Sequence, residues 1–335
     1  MNERIMDIDI VVTWVDGSDP EWLKERARYS GTPVELSDVR FRDWGLMRYW
    51  FRGIEKYAPW VRKIHFVTWG HLPDWLDTTN PKLHIVKHTD FIPAEYLPTF
   101  NSHTIELNLH RIEGLSEQFI YFNDDVFLIR PVAPTLFFKH GLPCDCFGLD
   151  AIFFGKDSIG HINGANMTVL NTHFRMRSVL KEHWIKCLNP VNGIKKVIKT
   201  CALALLYPWF PGMYYWHLTS AFLKSTFEKV WEAAPETLDE TCTYKFRNPT
   251  NVSPSLIKFW QMAEGTFIPM SNKCGYCCHL TDSRVEIVCD AIQKQKYAII
   301  CVNDNGRLSN WKRAAELVSQ SFESILPEKS SFEAY

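Results

Sequence analysis

Apolar and polar positions change period several times along this chain. Residues 8–15, Ile-Asp-Ile-Val-Val-Thr-Trp-Val, form a β-branched run that stops at the turn cluster Asp16-Gly17-Ser18-Asp19-Pro20. From Asp43 to Tyr57 the residues Leu46, Tyr49, Trp50, Ile54 and Tyr57 recur at helical spacing, and Pro59 ends the pattern. Residues 63–68 and 83–86 read as two further strands, the first closed by Trp69-Gly70. Residues 102–115 read as a helix, with Ser102 as its N-cap and Gly114 near its end. Residues 119–122 form a fourth strand that runs directly into Asn123-Asp124-Asp125.

Strands alternating with helices predict an α/β fold, a mostly parallel central sheet with flanking helices. Residues 174–235 read as mostly helical and form a helical insertion. A late strand over 296–303, ending in Asn303-Asp304-Asn305, is expected to return to the first sheet. The tail after Leu326 is expected to be loose. The chain therefore divides into an α/β core over 1–135, a largely helical segment over 136–260, and a return to the core sheet with a C-terminal helix over 261–335. At 335 residues it holds about two domains, or one large α/β unit with additions.

Composition narrows the function classes. Hydrophobic residues are 46% and charged residues 22%, enough to bury a sizeable core and to exclude wholesale disorder. Lys+Arg 37 against Asp+Glu 38 leaves a net charge of −1, so no overall basic field exists to hold nucleic acid. Residues 1–7 carry charges where a signal peptide has an apolar run, so a cytoplasmic location is expected. Residues 200–216 are uncharged, but Pro208 and Pro211 interrupt them and they are short for a membrane span. Ten cysteines in such a chain are expected to be reduced and mostly buried. The run Cys274-Gly-Tyr-Cys277-Cys278-His279 supplies half of a zinc site. A structural Zn²⁺ at Cys274, Cys277, Cys278 and His279, or one completed by Cys144 and Cys146, is the alternative to core thiols.

The sharpest local signal is the strand that ends in Asn123-Asp124-Asp125. In parallel α/β sheets ligands sit at the carboxyl ends of strands. Adjacent carboxylates repel unless a cation or hydrogen bonds compensate, and a hard divalent ion needs oxygen ligands. Capping of the following turn explains the same triplet. Glu106 and His110 share one face of the predicted helix before that strand. Arg40, Arg42, Asp43 and Arg48 cluster around the first long helix, and arginine forks suit phosphate; surface ion pairing is the plainer reading. Tyr214-Tyr-Trp-His217 and Lys245-Phe-Arg247 carry no signal in isolation.

Taken together, these segments resemble the Stealth phosphotransferases. The run Ile8 through Asp19 resembles the family's first block. Arg40-Phe-Arg-Asp43, Ala58-Pro-Trp-Val-Arg62, Thr68-Trp-Gly70, Leu97-Pro-Thr-Phe100, Ile105-Glu106, His110 to Ser116 and Phe119 to Asp125 resemble the second. His217 to Arg247 resembles the third and Val302-Asn-Asp-Asn305 the fourth. The first block reads Val-Asp16 where animal members carry Val-Asn, and residues 135–200 match no block.

The resemblance implies a compact bacterial enzyme that transfers a sugar-1-phosphate from a UDP-sugar to a glycan hydroxyl, in capsule or cell-surface polysaccharide synthesis. It implies a nucleotide-sugar transferase-like fold. It places Glu106, Asp125, His217 and Arg247 in one catalytic site, with Mg²⁺ or Mn²⁺ held by Asp125 with Asp124 or Asp304. Thr13, Trp14, Asp16, Arg40, Arg48, His103 and Arg111 are the implied substrate contacts. His217 or Glu106 would be the base. A lipid-linked acceptor gives residues 200–216 a second reading, as a peripheral foot on the inner face of the membrane beside the basic residues Lys195, Lys196 and Lys199. A buried helical hairpin explains the same stretch. A metal-dependent glycosyltransferase that releases UDP and a non-catalytic polysaccharide-binding protein are the competing readings.

Overall fold

The computed structural model describes residues 7–30, 42–156 and 159–334. Its strands are β1 (Ile8–Thr13), β2 (Ile64–Thr68), β3 (Leu83–Lys87), β4 (Gln118–Asn123), β5 (Val126–Leu128), β6 (Phe138–Lys139), β7 (Leu142–Asp145), β8 (Ser220–Leu223), β9 (Ile268–Pro269), β10 (Gly275–His279) and β11 (Ile299–Asn303). The main sheet has the order β3-β2-β1-β4-β8. Its first four strands are parallel, and β8 closes one edge antiparallel to β4. Two smaller sheets, β10-β11-β5 and β6-β7-β9, pack around it.

The strict alternation of a strand sorts β1 and β4 between two cores. Ile8, Ile10, Val12, Ile120 and Phe122 face one apolar cluster, while Val11, Phe119 and Tyr121 face the other. The helices Met47–Tyr57, Asp282–Gln293 and Trp311–Ile325 cover the first face. Met47–Tyr57 buries Trp50, Phe51, Ile54 and Tyr57. Gly53 lets that helix approach β5, since a Cβ there would stand 2.9 Å from the Leu128 carbonyl oxygen. The short helix Ser102–Leu107 and the helices over 159–263 cover the second face. The fold is α/β with a largely helical insertion, as the alternation of elements predicts.

Three expectations are corrected. The late strand, β11, does not return to the main sheet. It pairs parallel to β10 and antiparallel to β5, and the free edge of the main sheet is taken by β8. A buried apolar run specifies a strand but not its partner. The predicted helix over 102–115 ends at Leu107, because Asn108 turns its side chain back to the Thr104 carbonyl and a short 3-10 turn, Leu109–Arg111, follows. The tail is not loose. Phe332 is buried against Phe51, and Arg52 forks Glu333 at 2.8 and 3.0 Å. Main-chain bonds tie Asp77 to Phe332 and Ala334 to Trp75.

Candidate active site

Thr13 and Asn123 stand side by side at the carboxyl ends of β1 and β4. The chain then leaves the main sheet through Asp124-Asp125 and enters β5 of the second sheet. A two-residue turn at the junction of two sheets therefore carries both carboxylates. The backbone of Asp125 is fixed from the neighbouring strand, where the Val302 N–H donates to its carbonyl at 2.8 Å.

Around Asp125 three parts of the chain meet. His217, in a tight bend just before β8 closed by the Leu218 N–H on the Trp216 carbonyl, places Nε2 3.5 Å from Asp125 Oδ2. Cys301, on β11, places its Sγ 3.4 Å from the same oxygen. The donor atoms of Asp125, His217 and Cys301 all lie within 4.8 Å of one another. The second Asp125 oxygen, Oδ1, is buried and has no hydrogen-bond partner. Burial alone would lower the pKa of His217, but the Asp125 hydrogen bond and charge, helped by Cys277 and Glu106, raise it above 6.5. Asp124 is open to water yet hemmed in by protein. That enclosure, then the charges of Asp125 and Asp43, push its carboxyl up to about 7. Crowded carboxylates of this kind favour a bound cation.

A second set of side chains adjoins the first. Glu106 lies buried on Ser102–Leu107, which packs on the face of the sheet that carries Tyr121. The Tyr121 hydroxyl is 3.2 Å from Glu106 Oε1, 3.0 Å from Thr13 Oγ1 and 2.9 Å from Asn123 Oδ1. Ser102 hydrogen-bonds Glu106 and accepts from Arg247 Nε and Nη2 at 3.1 and 2.5 Å. Burial raises the pKa of Glu106, and Arg247, Tyr121, Ser102 and His217 oppose that rise. Glu106, Arg247, His217 and Asp125 thus form one electrostatic unit drawn from four separated segments.

The remaining expected residues have varied surroundings. Thr13 belongs to the Tyr121 network. Trp14 is buried against Phe66 and His71, at ring separations of 5.6 and 5.3 Å, and shapes the loop beside it. Asp16 Oδ1 accepts from the Ser18 N–H and hydroxyl at 2.8 and 2.6 Å, and its charge reaches Asp43. His103 is buried, and burial followed by the Arg247 charge holds its pKa near 3, so it stays neutral. Asp304 binds Arg42 at 2.7 Å and the Trp44 indole N–H at 3.2 Å, which leaves it outside the Asp125 cluster. Arg48 is exposed and lies over Trp75. Arg111 is exposed, stacks on Trp231 and donates to Asn108. His110 is packed against Phe227 and is a structural histidine. Arg40 lies outside the described residues.

The zinc expectation is corrected. Strand alternation turns Cys277 and Cys278 to opposite faces of β10, so one ion cannot take both. Cys277 lies opposite Cys301, Cys278 is buried, Cys274 donates to the Ser271 carbonyl, and His279 meets Asn303. All ten cysteines are free thiols. The sequence did not mark Cys301 or Tyr121 as site residues, and it marked Ser102 only as a helix N-cap, a place that Asn101 takes. Tyr121 left one signal, a hydroxyl inside an otherwise apolar strand, which needs a buried partner.

The donor set bears on which ion fits. Asp124 and Asp125 supply the oxygen donors that Mg²⁺ or Mn²⁺ prefers, and Asp125 Oδ1 is a carboxylate oxygen with no other use. Nitrogen and sulfur from His217 and Cys301 suit softer ions such as Zn²⁺.

Comparison with known proteins completes the description. Residues 6–32 match Stealth protein CR1, conserved region 1, and residues 40–144 match Stealth protein CR2, conserved region 2. The chain is 38% identical over 337 residues to the capsular polysaccharide phosphotransferase WcwK of Streptococcus pneumoniae, covering 99% of each chain. It is 37% identical to the receptor polysaccharide phosphotransferase WefC of Streptococcus oralis, covering 97% of this chain and 99% of the relative. It is 39% identical to the exopolysaccharide phosphotransferase cps2G of Lactiplantibacillus plantarum, covering 98% and 96%. Among solved structures, a galactosyltransferase in complex with donor and acceptor sugar analogues aligns with 96% of this chain and 98% of its own, at a TM-score of 0.38 and 9% identity. With full-length relatives at this identity and both conserved regions in order, the chain belongs to the Stealth family.

Proposed function

We propose that this protein transfers a sugar-1-phosphate from a UDP-sugar to a hydroxyl of a glycan acceptor, in the synthesis of a capsular or other cell-surface polysaccharide. The observation that carries the reading is the joining of Asp125, His217, Glu106 and Arg247 into one charged cluster at strand ends. Relatives that align end to end are named as polysaccharide phosphotransferases.

In the proposed reaction the acceptor oxygen attacks the β-phosphorus of the donor. A new P–O bond forms, the bond to the UMP oxygen breaks, and the acceptor proton passes to the protein. Phosphoryl chemistry of this kind depends on in-line positioning and charge neutralisation. Arg247, steadied by Ser102, clamps the oxygens of the transferring phosphate. Neutral His217 takes the proton, and Asp125 stabilises the imidazolium that results. Glu106, near but buried, holds Ser102 and Tyr121 and is the alternative base. Thr13 and Asp16 lie where the donor would enter, at the strand ends. Asp124 and Asp125 would hold a divalent ion, which neutralises donor phosphate charge when bound.

The test is the identity of the leaving nucleotide. The purified protein is incubated with UDP-N-acetylglucosamine, UDP-N-acetylgalactosamine, UDP-galactose or UDP-glucose and a lipid-linked glycan acceptor. UMP release, with a phosphodiester phosphorus resonance in the product, supports the proposal. Release of UDP overturns it in favour of simple glycosyl transfer.

A further inference from the structure

We infer that the outward face of the helix Ile194–Leu206, with the loops beside it, seats this protein on an anionic membrane surface. The seating itself does not depend on the reaction proposed above; the presentation of an acceptor beside His217 rests on it.

A helix on a globular protein turns its apolar stripe toward the core. This helix packs Leu203 and Ala204 on the core but carries a second apolar stripe on its outer side. Ile194, Ile198, Cys201 and Leu205 fall on one stripe at helical spacing, and the three large ones are 69%, 64% and 82% exposed. Leu206 beside them is 72% exposed. The residue buried most deeply against the protein is polar: Thr200 accepts the Leu149 N–H at 3.0 Å. Nor is the helix isolated in this respect. Of fifteen large hydrophobic side chains exposed among the described residues, thirteen lie between Phe153 and Tyr215. Scattered exposed apolar residues are ordinary, but concentration in one fifth of a chain marks an interaction surface.

Charge identifies the occupant. Residues 151–216 contain eight Lys and Arg against two Asp and Glu, within a chain of net charge −1. Lys195 borders the apolar stripe, Lys199 beside it pairs with Asp150, Arg175 lies 3.8 Å over the Trp209 ring, and Arg177 caps the carbonyls of Ala204 and Leu205. An apolar face with Trp and Leu at its centre and cations along its rim matches a bilayer interface with anionic headgroups. A second copy docking by the same face would bring two basic surfaces together, which like-charge repulsion disfavours. No described helix is long and apolar enough to cross a membrane, so the contact is one of surface seating. The seat also adjoins the candidate site. Lys196 on this helix lies 4.3 Å from the Tyr214 ring, and Tyr215 contacts His217. A lipid-borne acceptor would therefore be presented beside His217.

The test is flotation of the full chain with phosphatidylglycerol vesicles and, separately, with phosphatidylcholine vesicles. The natural chain is expected to float with the anionic vesicles and to bind the neutral ones far less. Leu205→Ser with Leu206→Ser should lower the bound fraction about tenfold or more. Lys195→Glu should weaken the preference for the anionic lipid. Both variants change exposed residues, so their melting temperature and their nucleotide release with a soluble acceptor should match the natural chain. The inference fails if the natural chain stays with the soluble fraction on anionic vesicles, or if the leucine variant floats equally well. It also fails if sedimentation shows a dimer that the leucine variant splits, with no lipid binding in either.

Discussion

Tyr121→Phe is the most exacting probe of the candidate site. The change removes one oxygen and keeps the ring, which is almost fully buried, so packing on the second core is retained. The lost hydroxyl serves Glu106, Thr13 and Asn123 at 3.2, 3.0 and 2.9 Å. A hydrogen bond to a charged group is worth about 1.5–3 kcal/mol net, and more is lost when the partner stays buried and unsatisfied. Glu106 is such a partner, since water reaches little of it. If the Tyr121 hydroxyl holds an ionised Glu106 in register for catalysis, kcat/KM should fall roughly tenfold to a hundredfold. The sign of the pH effect follows from the same contact. Burial raises the Glu106 pKa and the Tyr121 hydrogen bond lowers it, so removing the bond raises it further. The acid limb of the pH–rate profile should therefore move to higher pH. The assay is nucleotide release against pH for the natural chain, Tyr121→Phe, Glu106→Gln and the double variant, with melting temperatures alongside. Groups that act as a unit are non-additive, so the double variant should be little worse than Glu106→Gln alone. Strictly additive losses, or a Tyr121→Phe enzyme within twofold of natural activity, would refute the reasoning.

Three further outcomes are expected. His217→Gln should lower kcat by about 10²- to 10⁴-fold with donor affinity, read by calorimetry, near natural; loss of donor binding would move His217 from base to binding residue. Because Asp125 raises the His217 pKa against the pull of burial, Asp125→Asn should lower that pKa, visible as a His217 imidazole titration shifted to lower pH by NMR; an unmoved titration would show that the pair is not coupled. Glu333→Ala should cost about 1.5–3 kcal/mol, read by denaturant unfolding, because it removes the buried fork on Arg52, which keeps Glu323 and the Leu326 carbonyl as partners. Burial raises the Glu333 pKa, but Arg52 and Ser330 overcome it and leave the folded value below 4.5. The stabilisation from this pair is therefore complete above pH about 4.5 and is lost as pH falls through the folded value.

Local chemistry was written in the sequence where one segment is enough to express it. The β-branched run at 8–13 and the aromatic run at 118–123 specify buried strands, because mostly apolar residues on both faces tolerate only a covered sheet. The placement of Asp124-Asp125 at a strand end was equally plain, as was the turn at Asp16. The helix Met47–Tyr57 was legible from its 3.6-residue period, although it begins at Met47 and not at Asp43, whereas the helix Pro20–Ser30 before it was not. The resemblance to a known family linked Glu106, His217 and Arg247 to those carboxylates, which periodicity could not do.

What only the folded chain decided is the pairing of distant segments. Nothing in residues 299–303 says that they join β5 and β10 rather than the main sheet, and that choice brings Cys301 to Asp125. Alternation along β10 separates Cys277 from Cys278 and undoes the apparent zinc cluster. The last residues, polar in sequence, are ordered because Arg52 lies buried and needs the Glu333 carboxylate. Whether the 194–206 stripe faces the core or water was open in the same way. Periodicity fixes which side chains share a face, but the direction of that face depends on what the rest of the chain packs beneath it, and here Thr200 and Leu203 turn inward while Leu205 and Leu206 face outward.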